Sequence, residues 1–236
     1  DFRPYPAVRE ILTDTRPVRE GLGDLLLKSQ MQDDGIAILY SYPSTFAHKL
    51  EEGHTFTEYQ KSHVAWHKAI RDLGLQFSYV TDRMLRLGEF KAKRFRVLVL
   101  PRAEAIGVKE AAVIRAFAEG GGVVIADTRQ GIYDDHCKRR TVGILDDLFG
   151  VQRKGFPHAR KVAGAIVDPG IEVFGGNEGQ VLKQAVDRPQ AADTKDQGIE
   201  RDKRPQFSRL EGTPVLIGRR VGKGYAVLLN GDLNVL

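Results

Sequence analysis

The chain has 236 residues, of which 42% are hydrophobic and 28% are charged, a composition typical of a folded globular protein. It is shorter than the roughly 250 residues of a typical (β/α)8 barrel, so a complete barrel enzyme is not expected. The 36 basic and 31 acidic residues give a net charge of +5, too evenly mixed to indicate binding to nucleic acid. No apolar run approaches the about 20 residues of a membrane span, and the single cysteine excludes an internal disulfide and favours a reducing compartment such as the cytoplasm.

The N-terminal region is predicted to precede the main domain. Residues 1–15 contain proline and arginine with few periodic apolar positions, which predicts an extended linker. Pro17 suits the first turn of a helix, and apolar residues recur at helical spacing after it, up to the break before Gly35. We therefore assign residues 1–33 to a linker and a lead-in helix from a preceding domain, and residues 34–236 to one folded domain.

Strands and helices alternate along the first part of this domain. Helical periodicity is found at 57–73 and 108–119, and short apolar runs predict buried strands at 36–40, 77–80, 96–101 and 123–127. The stretch Ser-Tyr-Pro-Ser at 41–44 predicts a loop after the first strand. Strands that alternate with helices of about a dozen residues indicate right-handed βαβ units. The predicted fold is α/β, a Rossmann-like three-layer sandwich with a mostly parallel central sheet.

The regular alternation ends after residue 150. Residues 162–167 and 171–174 predict short strands with no helix between them, and the polar stretch near 183–212 predicts an insertion. Two apolar runs, 215–218 and 225–229, flank a glycine-containing turn. They predict a C-terminal β-hairpin.

The motifs predict no catalytic residue, metal site or cofactor. His63 and His67 are four residues apart and could share a metal, but Val64 stands where the zinc-protease signature has glutamate, and packing of both histidines is favoured. Cys137 has basic neighbours that could lower its pKa, yet it lacks the Gly-x-nucleophile-x-Gly elbow and is interpreted as a bystander thiol. The glycines at 120–122 precede a strand rather than a helix, so they do not form a phosphate-binding loop.

Topology predicts where a ligand would bind. In open α/β sheets, ligands gather beyond the carboxyl ends of the strands, where the strand order reverses. Polar residues follow the predicted strands there, and they form the candidate ligand pocket: Ser41, Tyr42, Ser44, Arg102, Glu104, Asp127 and Arg129. A sugar or an anion is the small ligand that this set suggests.

Several segments together resemble one known family. They are Ile-Ala-Ile-Leu-Tyr-Ser-Tyr-Pro-Ser at 36–44, the helix with Trp66, Val-Leu-Val-Leu-Pro at 97–101, Gly-Gly-Gly-Val-Val at 120–124 and the closing segment 222–233. They look like the β-galactosidase trimerisation domain, a glutamine-amidotransferase-like module of glycoside hydrolase family 42 enzymes. The resemblance implies a flavodoxin-like fold that follows a catalytic barrel, serves subunit association and helps to wall the active site of a neighbouring subunit.

The same resemblance implies that this chain is non-catalytic. The catalytic glutamates of the family belong to the barrel, so none is assigned here. Amidotransferases of this fold use a cysteine elbow, whereas the corresponding strand end here reads Asp-Thr-Arg at 127–129, so no amidotransferase activity is expected. The alternatives are a domain that binds a small sugar or anion, or a degenerate amidotransferase-like enzyme.

The implied partners are further copies of the chain and the catalytic barrel, with no nucleic acid or membrane. Aromatic side chains on loops are common in protein interfaces. Residues 42–56 and 129–140 are therefore predicted to form the contact between copies of the chain. The candidate interface residues are Tyr42, Phe46, Phe56 and Tyr133. We expect a weak oligomer or a monomer from the domain alone, and a homotrimer from the intact protein.

Overall fold

The structure is a computed structural model that describes residues 5–30, 32–52, 57–153, 160–162, 165–167, 170–173, 177–178, 206–210 and 213–231. The chain divides into two compact units, Asp1–Asp33 and Asp34–Leu236, and each is described by itself.

The first unit is helical. Helix α1 (Pro6–Asp14) is followed by a π-helical segment, Val18–Leu22, and by helix α2 (Gly23–Lys28). The expectation of an extended linker is therefore wrong over α1, which begins with a proline in its first turn, a position that proline favours. None of the residues in these three segments is buried.

The described part of the second unit contains twelve strands. Their bounds are β1 (Ile36–Tyr40), β2 (Phe77–Thr81), β3 (Val97–Leu100), β4 (Val123–Ala126), β5 (Val151–Arg153), β6 (Arg160–Val162), β7 (Ala165–Val167), β8 (Ile171–Val173), β9 (Asn177–Glu178), β10 (Gln206–Leu210), β11 (Thr213–Val221) and β12 (Gly224–Leu229). Eight of them form one sheet in the order β2-β1-β3-β4-β12-β11-β10-β9. The pairs from β2 to β12 in this order are parallel, and β12 pairs antiparallel with β11.

Helices cover both faces of this sheet. They are α3 (Tyr42–Glu52), α4 (Thr57–Asp72), α5 (Asp82–Arg86), α6 (Val108–Glu119) and α7 (Asp146–Phe149), with a 3-10 turn at Ala92–Arg94. Strand residues alternate between two buried clusters: Leu98 packs with Ile114 of α6, whereas Ile38 packs with Trp66 and Ile70 of α4. The predicted α/β three-layer sandwich is confirmed.

The predicted loop at 41–44 is wrong, because this stretch begins helix α3. The Ser41 hydroxyl accepts a hydrogen bond from the backbone N–H of Ser44 at 3.2 Å, which is the contact of an N-terminal capping residue. Pro43 then lies in the first turn, where its missing N–H costs nothing. The same Tyr-Pro dipeptide that suggests a turn thus also fits a helix start.

The C-terminal hairpin is confirmed as β11 and β12, joined by a turn in which Gly222 has φ +57°. The predicted strand at 162–167 is a pair of antiparallel strands, β6 and β7. Within the predicted polar insertion, residues 206–210 form strand β10, and residues 183–205 and 211–212 lie outside the described residues. Among the described residues, no helix has both the length and the apolar character needed to cross a membrane.

Candidate functional site

The carboxyl ends of β1, β3 and β4 bring the predicted polar residues together. Ser41 follows β1, Arg102 and Glu104 follow β3, and Asp127 and Arg129 follow β4. All five are buried. The parallel direction of these strands places their carboxyl ends at one edge of the sheet, as the sequence predicts.

Asp127 is the centre of a hydrogen-bond network. Its carboxylate accepts hydrogen bonds from the Ser62 hydroxyl at 2.5 Å, from the Trp66 indole N–H at 3.2 Å, from the backbone N–H of Arg102 at 2.5 Å and from the Gln130 amide at 3.2 Å. Two of these donors are on α4. The network therefore ties α4 to the ends of β3 and β4.

Glu104 is the second buried carboxylate, and it is compensated by basic groups. The Arg102 guanidinium donates to it at 3.0 Å, and the His48 Nδ1 lies 3.8 Å from the same carboxylate oxygen. Burial alone would raise the pKa of Glu104, but the His48 side chain and the charges of Arg102 and Arg129 outweigh burial and lower that pKa to about 2. Glu104 is therefore ionised at neutral pH.

The two serines of the predicted pocket hold the loop after β3. The hydroxyls of Ser41 and Ser44 both donate to the backbone carbonyl of Ala105, at 3.2 Å and 3.1 Å, and the Ala105 N–H donates back to Ser44 at 3.0 Å. Tyr59 also bonds to the backbone of Ser41. Both serine hydroxyls therefore hold the backbone of the loop after β3.

The backbone is strained in the turns that follow β3 and β4. Arg102 has φ +36° and Arg129 has φ +65°, values that residues with a side chain rarely adopt. Each arginine occupies a sharp turn directly after a parallel strand, so both turns hold a guanidinium rather than a nucleophile. The two arginines and the two carboxylates balance in charge.

Cys137 lies on a loop away from these turns in sequence, and its thiol donates to the carbonyl of Pro43 at 3.3 Å. Burial, followed by the negative charge of Asp134, raises the pKa of Cys137. The expectation that neighbouring basic residues could lower this pKa is therefore wrong. A thiol with a raised pKa is a poor nucleophile at neutral pH.

A cavity of about 10 Å³ lies beside Ser41, lined in part by Pro43, Asp82 and Glu110. This volume is close to that of about one water molecule. The predicted ligand pocket stays a prediction: its residues come together, but those that are buried bond mainly to one another.

Helix α3 presents a stripe of large exposed side chains. Tyr42 and Phe46 are each 57% exposed, and Leu50, one turn further on, is 74% exposed. The opposite face of the helix carries the buried Ala47 and His48. The sequence analysis named Tyr42 and Phe46 but missed Leu50, which the spacing of four residues could have indicated.

The other two candidate interface residues differ. Tyr133 is only 7% exposed and packs with Ala47, Ala105 and Ile132, so its ring is not on the surface that a second chain would contact. The role of Tyr133 in an interface stays a prediction, and this low exposure does not favour it. Phe56 lies outside the described residues.

Aromatic rings cluster where β1 and β2 meet α4. Tyr40 lies 5.4 Å from Tyr42 and 5.6 Å from His63, measured between ring centroids, and His63 lies 6.4 Å from Tyr79. His67, the other histidine of the pair, packs on Phe77 at 4.9 Å. Within the described residues, the ligand atoms close enough to share a cation belong to other side chains: Asp134, Asp135 and His136.

Comparison with known proteins gives the chain a family. No curated protein matches the sequence. The fold is similar to a β-galactosidase from Bacillus circulans sp. alkalophilus (15% identity, TM-score 0.66, 98% of this chain and 34% of that one) and a β-galactosidase from Rahnella sp. R3 (16%, 0.62, 93% and 32%). It is also similar to the exo-β-1,4-mannosidase Op5Man5 from Opitutaceae bacterium strain TAV5 (13%, 0.55, 94% and 34%).

The chain spans about a third of the length of these solved relatives. Residues 34–234, most of the chain and nearly all of its second unit, match the sequence family described as the beta-galactosidase trimerisation domain. The chain therefore belongs to the β-galactosidase trimerisation domain family.

Proposed function

We propose that this chain is a non-catalytic association domain of a larger β-galactosidase-type glycoside hydrolase, and that it holds three copies of that protein together. The observation that carries the proposal is the family match over 34–234. The chemistry of the strand ends supports it, because the buried charges there are balanced and the serines are bonded to the backbone. The domain thus supplies contacts, and hydrolysis belongs to another part of the protein.

The stripe Tyr42, Phe46 and Leu50 is the proposed contact surface between copies. These three large side chains form a continuous apolar patch on one exposed helix face, and such patches often mark sites of protein interaction. Aromatic side chains at the centre of such a patch supply much of the binding energy in protein interfaces. A threefold ring requires that this surface meet a different surface of the next copy.

The first unit is proposed to pack on the catalytic domain. It carries Ile11, Leu12, Leu25 and Leu26 as exposed side chains, and none of its helical residues is buried. The relatives share nearly the whole of this chain and have about twice its length in addition. This supports a neighbouring domain as the partner that buries these exposed side chains. The single cysteine supports a reducing compartment, and we propose the cytoplasm.

The substrate proposed for the parent protein is a β-linked hexoside. Two of the relatives are β-galactosidases and one is an exo-β-1,4-mannosidase, although all three contain this fold. The association domain is therefore not the part that selects between the two sugars, and we propose a β-galactoside on the strength of the family match alone.

The proposal is tested by the mass of the full-length polypeptide in solution. Light scattering should give the mass of three copies for the parent, and the double substitution Phe46→Glu with Leu50→Glu should reduce it to one copy, because it places two charges on the contact surface. The control is Val64→Glu, which adds a charge at an exposed position of α4 and should leave the trimer intact. A monomeric parent, or a trimeric double variant, would contradict the proposal.

A further inference from the structure

The edge aromatic cluster consists of Tyr40, Tyr42, Tyr59, His63, Phe77 and Tyr79. Its rings form an unbroken series: Tyr59 lies 4.5 Å from His63, and Phe77 lies 5.4 Å from Tyr79, between centroids. Tyr42 and Tyr79 are about half exposed, at 57% and 48%. The cluster therefore has an aromatic inner layer and two half-exposed rings, of which Tyr42 also belongs to the proposed contact surface on α3.

The cluster runs along β2, the outer strand of the sheet, and reaches the carboxyl end of β1, the edge where α/β proteins bind ligands. Tyr40 ends β1, whereas Tyr79 is the middle residue of β2 and Phe77 begins that strand. The strand order reverses between β1 and β3, next to this position. Tyr59 joins the cluster to the strand-end residues described above, because its hydroxyl bonds to the backbone of Ser41.

His63 is the unexplained polar group of the cluster. The side chain is 8% exposed, and neither ring nitrogen has a hydrogen-bond partner among the described residues. A buried polar atom without a partner costs free energy, and such atoms in folded proteins usually meet a water or a ligand. The half-exposed Tyr79 ring is stacked beside the imidazole with 6.4 Å between centroids, so a ligand that reaches the buried nitrogens has to displace a neighbouring ring such as this one.

The chemistry of the cluster favours an uncharged ligand. Burial lowers the pKa of His63 to about 4, so its imidazole is neutral at pH 7 and offers one donor and one acceptor. The remaining members contribute ring faces and phenol hydroxyls. Aromatic faces contact apolar C–H surfaces, while hydroxyl and imidazole groups bond to polar ones. A ligand with both kinds of surface and no charge fits this combination.

We propose that the edge aromatic cluster binds a neutral pyranose sugar, stacked on Tyr79 and hydrogen-bonded to His63. A pyranose ring has a C–H face and a rim of hydroxyl groups, which are the two surfaces that the cluster can contact. The choice of a sugar rests on the proposed function, because a domain beside a glycoside hydrolase meets sugar chains. Such a site would hold substrate near the enzyme without taking part in hydrolysis.

The test is saturation-transfer NMR on the 236-residue chain with methyl β-D-galactopyranoside and with β-1,4-linked galactotriose. We expect transfer to the sugar C–H protons and a shift of the His63 ring resonances. Tyr79→Ser and His63→Phe should each weaken the apparent affinity roughly three- to tenfold, the effect of losing one stacking or polar contact. Tyr5→Ser, the same change at an exposed tyrosine of the first unit, is the matched control and should have no effect.

Folding is checked by comparing the thermal midpoint of each variant with that of the parent, and Tyr79→Ser keeps the measurement interpretable if His63→Phe unfolds the chain. The proposal is overturned by the absence of transfer from both sugars, or by equal transfer in Tyr79→Ser and the parent. It is also overturned if Tyr79→Ser lowers the mass of the full-length oligomer instead of sugar binding, which would make the cluster a protein contact. Because sugar binding needs no association step, its failure leaves the association function standing, and failure of the α3 variants leaves sugar binding standing.

Discussion

Arg102, Glu104, Asp127 and Arg129 place four charges in the interior of a small domain. Removing one partner from a buried ion pair is costly, because the remaining charge has no solvent to compensate it. Asp127 accepts donors from α4 and from the turns after β3 and β4, so it holds a strained backbone in place as well as balancing charge. These four residues therefore stabilise the turns after β3 and β4 and hold α4 against them.

Glu104 makes this role measurable through pH. Its folded pKa, about 2, is below its ordinary value of 4.5, so its stabilising effect is complete above the ordinary value and is lost as the pH falls towards 2. Glu104→Gln should lower the free energy of unfolding at pH 7 by about 3 kcal/mol, since Asp127 then faces two buried arginines and one positive charge is left uncompensated. Denaturant titrations should show this difference shrinking between pH 5 and pH 2.

The control for this measurement is Glu89→Gln, which neutralises an exposed carboxylate in the same domain. It should leave both the free energy of unfolding at pH 7 and its pH dependence close to those of the parent. A Glu104→Gln variant as stable as the parent at pH 7 would show that the carboxylate does not compensate the arginines.

At the scale of elements, the periodicity of apolar residues predicts helices α4 and α6 but does not predict helix α3. The bounds of α6 follow from apolar residues on one face and the glycines that end it, so both were predictable. Helix α3 is not predicted, because Pro43 after Tyr42 also favours a turn, although proline is favoured in the first turn of a helix as well. Local sequence alone does not distinguish the two, and the contact of Ser41 with Ala105, 64 residues away, belongs to the folded state.

The candidate site was predictable in location and not in chemistry. Parallel strands bring their carboxyl ends together, so topology sufficed to group Ser41, Arg102 and Asp127. Which atoms bond depends on side-chain positions, such as the contact between the Asp127 carboxylate and the N–H of Arg102. The ring contacts of His63 with Tyr79 likewise join α4 to β2, a pairing that helical spacing cannot reveal.

The turn of the C-terminal hairpin gives a prediction about how β12 is held. Gly222 has φ +57°, and a Cβ added there would lie 2.6 Å from the carbonyl oxygen of Glu119 at the end of α6. Gly222→Ala should therefore destabilise the domain by about 2 kcal/mol or more, from left-handed strain and a backbone clash together. Gly74→Ala is the matched control, because Gly74 has φ +72° with open space around its Cβ, and it should cost only about 1 kcal/mol.

Thermal unfolding of the two alanine variants measures this difference. The larger fall in midpoint should belong to Gly222→Ala. If the two variants lost the same stability, the close approach of the hairpin to α6 would contribute nothing to holding β12.

At the scale of the whole molecule, the two units should differ in protection from hydrogen exchange. Helices α1 and α2 are short and bury no residue, whereas α6 buries Ala111, Ile114 and Phe117. Helices of this length are marginal in water without packing. In the 236-residue chain, amides of α1 and α2 should exchange far faster than those of α6.

The exchange rates of the same amides in the full-length polypeptide test whether the first unit packs on the catalytic domain. Packing against a catalytic domain should slow their exchange, while the amides of α6 serve as the internal reference. Equal exchange of α1 in the short chain and the full-length protein would contradict that packing.

The position of β12 in the sheet has a consequence for synthesis on the ribosome. This strand pairs on one side with β4 and on the other with β11, so it lies in the interior of the sheet although it comes late in the chain. While the intervening residues are being translated, β4 presents an unpaired apolar edge. Nascent chains with such an edge can pair with one another. Strand β4 gains its second partner only once Leu229 has left the exit tunnel. A chaperone would be most useful between the synthesis of β4 and that moment.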